Sequence, residues 1–280
     1  LALNGPRVSP YTNTCGSYKV RPLHYTESEE RLKIRIRAHT EYADFILEDW
    51  LSDWLGEAGG KRLLEIGCGN GNFFPVYAKA LGKSGLIIGF DNNRDLLKEA
   101  RTIGERLDTP TFVFPWDFDV HPFPLLDGEV DILIAPFSAY YTNDARGWVG
   151  DCVRVVRQKG RLLLLGPTED NAQELYELNE MVTGIKSVPE TDQTSRKLEE
   201  AFLPELRERL GDAVKATVMD RHIVFPSAEE FARYYFATWL YEKTQERIAN
   251  PIEFEAVLRA AEKTSLRLTK KITCIEARIP

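Results

Sequence analysis

Apolar residues along this chain fall into two patterns. Short unbroken runs occur at "RLLEIG" from Arg62, "LIIGFD" (86–91), "TFVFPWD" (111–117), "VDILIAPF" (130–137) and "GRLLLLGP" (160–167). Such runs suit strands buried on both faces. Between them lie "NFFPVYAKALG", "NRDLLKEARTIGERL" and "ARGWVGDCVRVVR", where apolar positions recur at helical spacing; Leu96, Leu97, Ala100 and Ile103 share one side of the second. Strands alternating with helices at this interval give βαβ units and a mostly parallel sheet with helices on both faces.

The flanks are less regular. Residues 1–24 are rich in Gly, Pro, Asn and Thr without a period and read as an irregular arm. Thr26 and Glu29 have capping-box spacing, and two helices should follow, joined near Thr40. The basic residues of "RLKIRIR" read as a solvated face. Beyond Pro167 the pattern predicts helix at 171–183, a polar stretch "KSVPETDQTS" and helix at 196–210. A sixth strand at 214–225, helices at 227–247 and 251–263, and a seventh strand in "SLRLTKKITCIEARI" complete it. No linker or repeat divides the chain, so 1–280 reads as a single domain. Its expected parts are N-terminal arm and helices (1–58), an α/β core (60–225 and 265–280) and a helical lid (226–264).

Composition narrows the function. With 43% hydrophobic and 28% charged residues, the chain is ordinary globular protein, and no apolar run approaches a membrane span. A net charge of −7 argues against a nucleic-acid partner, whose phosphates call for a basic face. Cys15, Cys68, Cys152 and Cys274 lie far apart, without C-x-x-C or zinc spacing, so free thiols and no metal are expected. The first residues lack a basic start and an apolar core, so no signal peptide is read there and a cytoplasmic location is expected.

The sharpest motif is "LLEIGCGNGNF". A glycine loop between strand and helix brings backbone amides and a helix N-terminus close to a ligand. The dinucleotide fingerprint is G-x-G-x-x-G, but here the glycines are Gly67, Gly69 and Gly71, with Asn72 at the third dinucleotide position. That spacing counts against NAD and leaves a sulfonium nucleoside. Asp91, at the next strand end, suits ribose hydroxyls in either case, although it could equally cap the following helix.

The loop resembles the first motif of class I S-adenosylmethionine-dependent methyltransferases. The likeness continues through "GFDNN", "PWDFD" and "IAPFSAYY", over roughly residues 60–167. The resemblance implies a three-layer αβα sandwich whose seven-stranded, mostly parallel sheet has an antiparallel last strand beside the fifth. It implies S-adenosyl-L-methionine as cofactor and S-adenosyl-L-homocysteine as product. Glu65, Gly67, Cys68, Gly69 and Gly71 would shape the methionine side of the pocket. Asp91 would take the ribose, with Asn92 beside the adenine, and Asp117 the adenine amino group, with Trp116 or Phe118 against the ring. Pro136 and Phe137 would face the sulfonium, and Tyr25, beside His24, would cover the cofactor. Where the family often has Asp or Asn at the fourth strand end, this chain has "APF".

Candidate catalytic groups follow strand ends: His121, Tyr140 and Tyr141. Tyr140 and Tyr141 are adjacent, so at most one is expected to face the pocket, and His121 beside prolines could be a turn residue. His222 lies in a strand and reads as structural; His39 reads as helix surface. In "FPSAEEFARYYFATWLYEKT" Ser227 can cap, while Phe231, Tyr235 and Trp239 form a stripe that packs on the domain or lines a lid over the acceptor. A small-molecule acceptor is expected, with no nucleic acid and no membrane; the chain could be a monomer or a homodimer. The rivals are an RNA or protein methyltransferase, an NAD-dependent oxidoreductase, and a non-catalytic nucleoside-binding module.

Overall fold

A computed structural model describes residues 28–280. Seven strands form one sheet: β1 (Arg62–Ile66), β2 (Leu86–Asp91), β3 (Thr111–Pro115), β4 (Val130–Pro136), β5 (Val156–Pro167), β6 (Val214–Val224) and β7 (Arg267–Arg278). Their order is β3-β2-β1-β4-β5-β7-β6. The first five are parallel, and β7 runs antiparallel between β5 and β6. The order reverses between β1 and β4, which opens a crevice at their carboxyl ends, where α/β sheets bind ligands. The expected fold class is the observed one.

Period-two alternation assigns the strand residues to two cores. Leu64, Ile66, Leu133, Ala135, Leu162 and Leu164 pack on one face, with α5 (Ala145–Val155) and α8 (Leu203–Leu210). Leu63, Ile132, Ile134, Leu163 and Leu165 pack on the other, with α2 (Leu47–Leu55), α3 (Phe74–Leu81) and α4 (Arg94–Gly104). A third core gathers α1 (Glu29–Glu41), α6 (Gln173–Thr183), α9 (Ala228–Phe236), α10 (Trp239–Gln245) and α11 (Phe254–Ala261) around the end of β6 and the start of β7. This helical cap closes over the crevice.

Three local expectations are corrected. Thr26 lies outside the described residues, and Ser28 caps α1 by accepting from the Arg31 amide at 3.2 Å. The polar stretch is helical: α7 (Pro189–Lys197) starts with proline in its first turn, where a missing N–H costs nothing. It carries Glu190 and Asp192 early and Arg196 and Lys197 late, as the helix dipole favours. A π-turn at Leu198–Phe202 joins it to α8, whose Pro204 cannot donate to the helical ladder. Finally, the long helix expected at 227–247 breaks at Ala237. Thr238 instead caps α10 by accepting from the Tyr241 amide, while Ser227 caps α9 as expected.

Candidate active site

The crevice and the cap enclose a cavity of about 1370 Å³. Its floor is the glycine loop. The amides of Gly67 and Cys68 donate to the Phe90 carbonyl at 2.7 and 2.9 Å, and the Gly69 amide donates to Asp91 Oδ2 at 2.8 Å. Asp91 Oδ1 accepts from the Asn93 amide at 2.8 Å. Asp91 is therefore a clamp across the loop. The helix cap of α4 is Asn93, which accepts from Asp95 and Leu96. Burial pushes the Asp91 carboxyl up, and the amides of Asn93, Gly69 and Asn92 pull it back.

Gly67 and Gly71 answer to protein neighbours. A Cβ on Gly67 would lie 2.2 Å from Ser138 Cβ, because the segment after β4 presses onto the loop, where the Ser138 hydroxyl donates to the Ile66 carbonyl. A Cβ on Gly71 would meet the Phe74 ring at 2.8 Å and Ala100 Cα at 3.1 Å. Gly71 is not on the cavity wall, contrary to the expectation that it shapes the pocket; it lets α3 and α4 close on the loop. Cys68 lines the cavity, but its thiol is buried among Phe74 and Gly89, and burial raises it well above the ordinary range. It is inert as a nucleophile.

Glu65 is the unusual acid. It is 1% exposed on the cavity wall, and its Oε2 has no hydrogen-bond partner. Burial holds its carboxyl well above the usual range, with the Tyr77 hydroxyl alongside. A buried carboxylate without a partner is costly, and a cation seated against it would offset the cost.

The other expected residues divide. Asn92, Asp117, Phe118, Pro136 and Phe137 all reach the cavity. Phe118 is the ring that faces it, whereas Trp116 packs against Phe90 at 6.4 Å between centroids. Asp117 is exposed and accepts from the Asp119 amide at 3.0 Å, a turn contact that leaves the rest of its carboxylate open. Phe137 has φ of 56°, an unfavourable conformation for an aromatic residue, set where its amide still donates to the Leu165 carbonyl and the chain turns off β4. Tyr140 and Tyr141 both reach the wall, contrary to expectation, because Ala139–Tyr141 is a 3-10 turn rather than an extended segment. Burial pushes the Tyr141 phenol up, so it is a hydrogen-bond donor rather than a base near neutrality. His121 lines the cavity with its Nδ1 2.7 Å from Asp151 Oδ2 and its ring stacked on Phe123; its Nε2 is buried without a partner. Tyr25 and His24 lie outside the described residues.

The cap contributes residues that the sequence patterns did not single out. Phe231 and Tyr235 are buried in the third core, so the aromatic stripe packs on the domain. Their neighbour Tyr234 faces the cavity instead, edge-on to His39 at 6.4 Å. His39 is thus a cavity residue and not helix surface. Arg35 also turns inward, correcting the solvated-face reading, while Arg31 pairs with Glu242 and Arg37 with Glu41. His222 holds Asp44 at 3.0 Å from β6, as a structural histidine would, and borders the cavity as well. Lys270 and Arg221 complete this wall. Charged residues inside otherwise alternating strands were the available signal.

Comparison with known proteins now bears on this geometry. Residues 64–164 match the family model described as a methyltransferase domain. The matched segment spans the glycine loop, Asp91, Phe137 and most of the fifth strand. A 27-O-demethylrifamycin SV methyltransferase from Amycolatopsis mediterranei is 28% identical over 171 residues, 59% of this chain and 62% of that protein. An uncharacterized 37.1 kDa transposon protein from Streptomyces fradiae is 30% identical over 119 residues, 42% of this chain and 34% of its own length. The chain thus spans less than two thirds of either relative. A putative methyltransferase from Bacillus halodurans shares the fold at 18% identity and a TM-score of 0.53, over 83% of this chain and 98% of that one.

Proposed function

We propose that the protein transfers a methyl group from S-adenosylmethionine to an oxygen, nitrogen or carbon atom of a small molecule held under the helical cap. The observation that carries this reading is the buried Glu65 carboxyl, whose Oε2 has no partner, beside a loop already clamped by Asp91. An α-ammonium group is the cation that such a carboxylate fits, and the free lone pairs of Asp91 suit ribose hydroxyls. Asn92, Asp117 and Phe118 would take the adenine, and Pro136 and Phe137 would lie toward the sulfonium. The enclosed cavity and its cap favour a small molecule over RNA or protein, and the relative named for 27-O-demethylrifamycin SV is consistent with that.

The cofactor, when bound, supplies an activated methyl group on sulfur. The chain's own residues bind, orient and exclude water. Phe137, Tyr141 and the cap aromatics desolvate the space, and holding the reactants at attack distance can remove roughly 7–11 kcal/mol from the barrier in favourable cases. The neutral Tyr141 phenol can donate a hydrogen bond that orients the acceptor. His121, held by Asp151, is assigned to the wall near Asp117 and not to proton transfer.

Calorimetry with S-adenosylhomocysteine and with NAD tests the reading. Binding of the first and not the second is expected; stabilisation by NAD alone would overturn it. Turnover is then checked by mass spectrometry for a product 14 Da heavier, the mass of one added CH₂, in an acceptor panel.

A further inference from the structure

Acidic residues predominate at the loop end of the cavity, beside Arg94, and basic ones at the cap end. Glu65, Asp91, Asp117 and Asp119 cluster at the loop end. At the cap end stand Arg35 and His39 from α1, Arg221 from β6 and Lys270 from β7. Arg221 and Lys270 are direct cross-strand partners in the antiparallel β6–β7 register, so two cations face each other on one side of the ladder. Like charges placed opposite one another destabilise a sheet.

The acids nearest Arg221 and Lys270 are largely engaged elsewhere. Among the described residues the Lys270 ammonium makes no ion pair or hydrogen bond, although its backbone sits in the β6–β7 ladder. The carboxylate that its charge feels, Glu174, spends both oxygens on the Thr269 amide at 3.1 Å and the Thr269 hydroxyl at 2.6 Å. Arg221 lies over the Phe45 ring at 4.5 Å, and its buried Nε is unpartnered. Asp44, near Arg221, is occupied by His222. Burial and the mutual repulsion of these groups push Lys270 down to about 8 and His39 to about 3. The overall charge of −7 makes a concentration of cations on one internal wall unusual for this chain. Around them the surface is apolar and aromatic: Ile36, Ile223, Tyr141 and Tyr234.

We propose that the methyl acceptor is an anion, an apolar or aromatic body bearing a carboxylate or phosphate that seats on the Arg221–Lys270 pair opposite His39. The oxyanion offsets the facing cations, and the body lies along the aromatic wall toward Phe137. The geometry fixes the acceptor's polarity: charged end under the cap, methyl-accepting atom toward the glycine loop. This specificity rests on the methyltransferase reading above, but the anion site can fail or stand separately from it.

The test uses three probes of one shape: 2-naphthoate, 2-naphthyl phosphate and the neutral 2-naphthamide. Each is titrated calorimetrically into the full chain, with and without saturating S-adenosylhomocysteine. At least one anion should bind about tenfold or more tighter than the amide, as loss of one charge-assisted hydrogen bond implies. The better of the two identifies carboxylate or phosphate as the group. Lys270→Met should bring that anion to within about twofold of the amide while S-adenosylhomocysteine affinity stays unchanged, and Lys270→Arg should retain the preference. Equal binding of amide and anions, no measurable binding of either anion, or an undiminished preference in Lys270→Met would each overturn the proposal. Failure of S-adenosylhomocysteine to bind while the anion preference holds would sink the methyltransferase reading and leave the anion site standing.

Discussion

The two ends of the cavity are built in different ways. The loop end is made of strand termini one crossover apart, where backbone amides and a single carboxylate hold the geometry: Gly69 on Asp91, Asn93 on Asp91, Ser138 on Ile66. The cap end is made of side chains from α1, β6, α9 and β7, and charge rather than backbone sets its character. A floor pinned by the main chain can recognise one constant ligand. A wall of side chains can be re-cut for another acceptor by substitution, without disturbing the sheet.

This contrast can be broken most sharply at Gly67. Gly67→Ala puts a methyl group 2.2 Å from Ser138 Cβ at φ of 73° and should cost about 3 kcal/mol in urea unfolding. Gly82→Ala, at φ of 65° with nothing within 4 Å, should cost only ~1–2 kcal/mol. Equal costs would mean that the strand-end contact is not what demands glycine. Asp91→Ala should weaken S-adenosylhomocysteine about tenfold or more by calorimetry. It also strips two loop amides of their acceptor, so its melting temperature should fall as well. An unchanged affinity would remove Asp91 from the site.

The cap end predicts effects that depend on charge. His39 stays neutral in the fold down to about 3, whereas in the unfolded chain it takes a proton below about 6.5. The unfolded state therefore binds more protons between those values, and stability falls as pH drops through that window. The slope from this group is at most ~1.4 kcal/mol per pH unit. His39→Leu should remove that part of the slope in urea titrations between pH 6.5 and 4, and parallel curves for the two proteins would refute it. Smallest of all, Lys270→Met relieves the like-charge cross-strand pair and should raise stability by ~0.2–1 kcal/mol. A drop in melting temperature would mean that Lys270 has a structural role.

The sequence was legible where local pattern and geometry coincide. The five parallel strands follow from the runs, while the antiparallel seventh beside the fifth and the approach of Glu65, Asp91 and Phe118 to one crevice were expected from the family resemblance. Gly71 was assigned to the pocket because spacing shows that a glycine is required but not by which neighbour; here Phe74 and Ala100 require it. Tyr140 and Tyr141 were separated because they are adjacent, and the 3-10 turn brings both to the wall. His39, Arg221, Tyr234 and Lys270 meet only through the β6–β7 register and the packing of α1 and α9 on it. Distances of that kind, between residues nearly two hundred positions apart, leave no trace in periodicity.

The place of β7 between β5 and β6 also orders events during synthesis. The floor of the site uses nothing beyond β5, so its strands can pair while the rest of the chain is still being made. β6 has no neighbour in the sheet except β7, which emerges only after α9, α10 and α11. Until then β6 lacks its sheet partner, with only the Ala43–Ile223 bridge to earlier chain available, and it carries Lys215 and Arg221 along it, long-range pairing being slow to form. The charge that marks the cap end would thus also keep a waiting strand from pairing with the wrong partner.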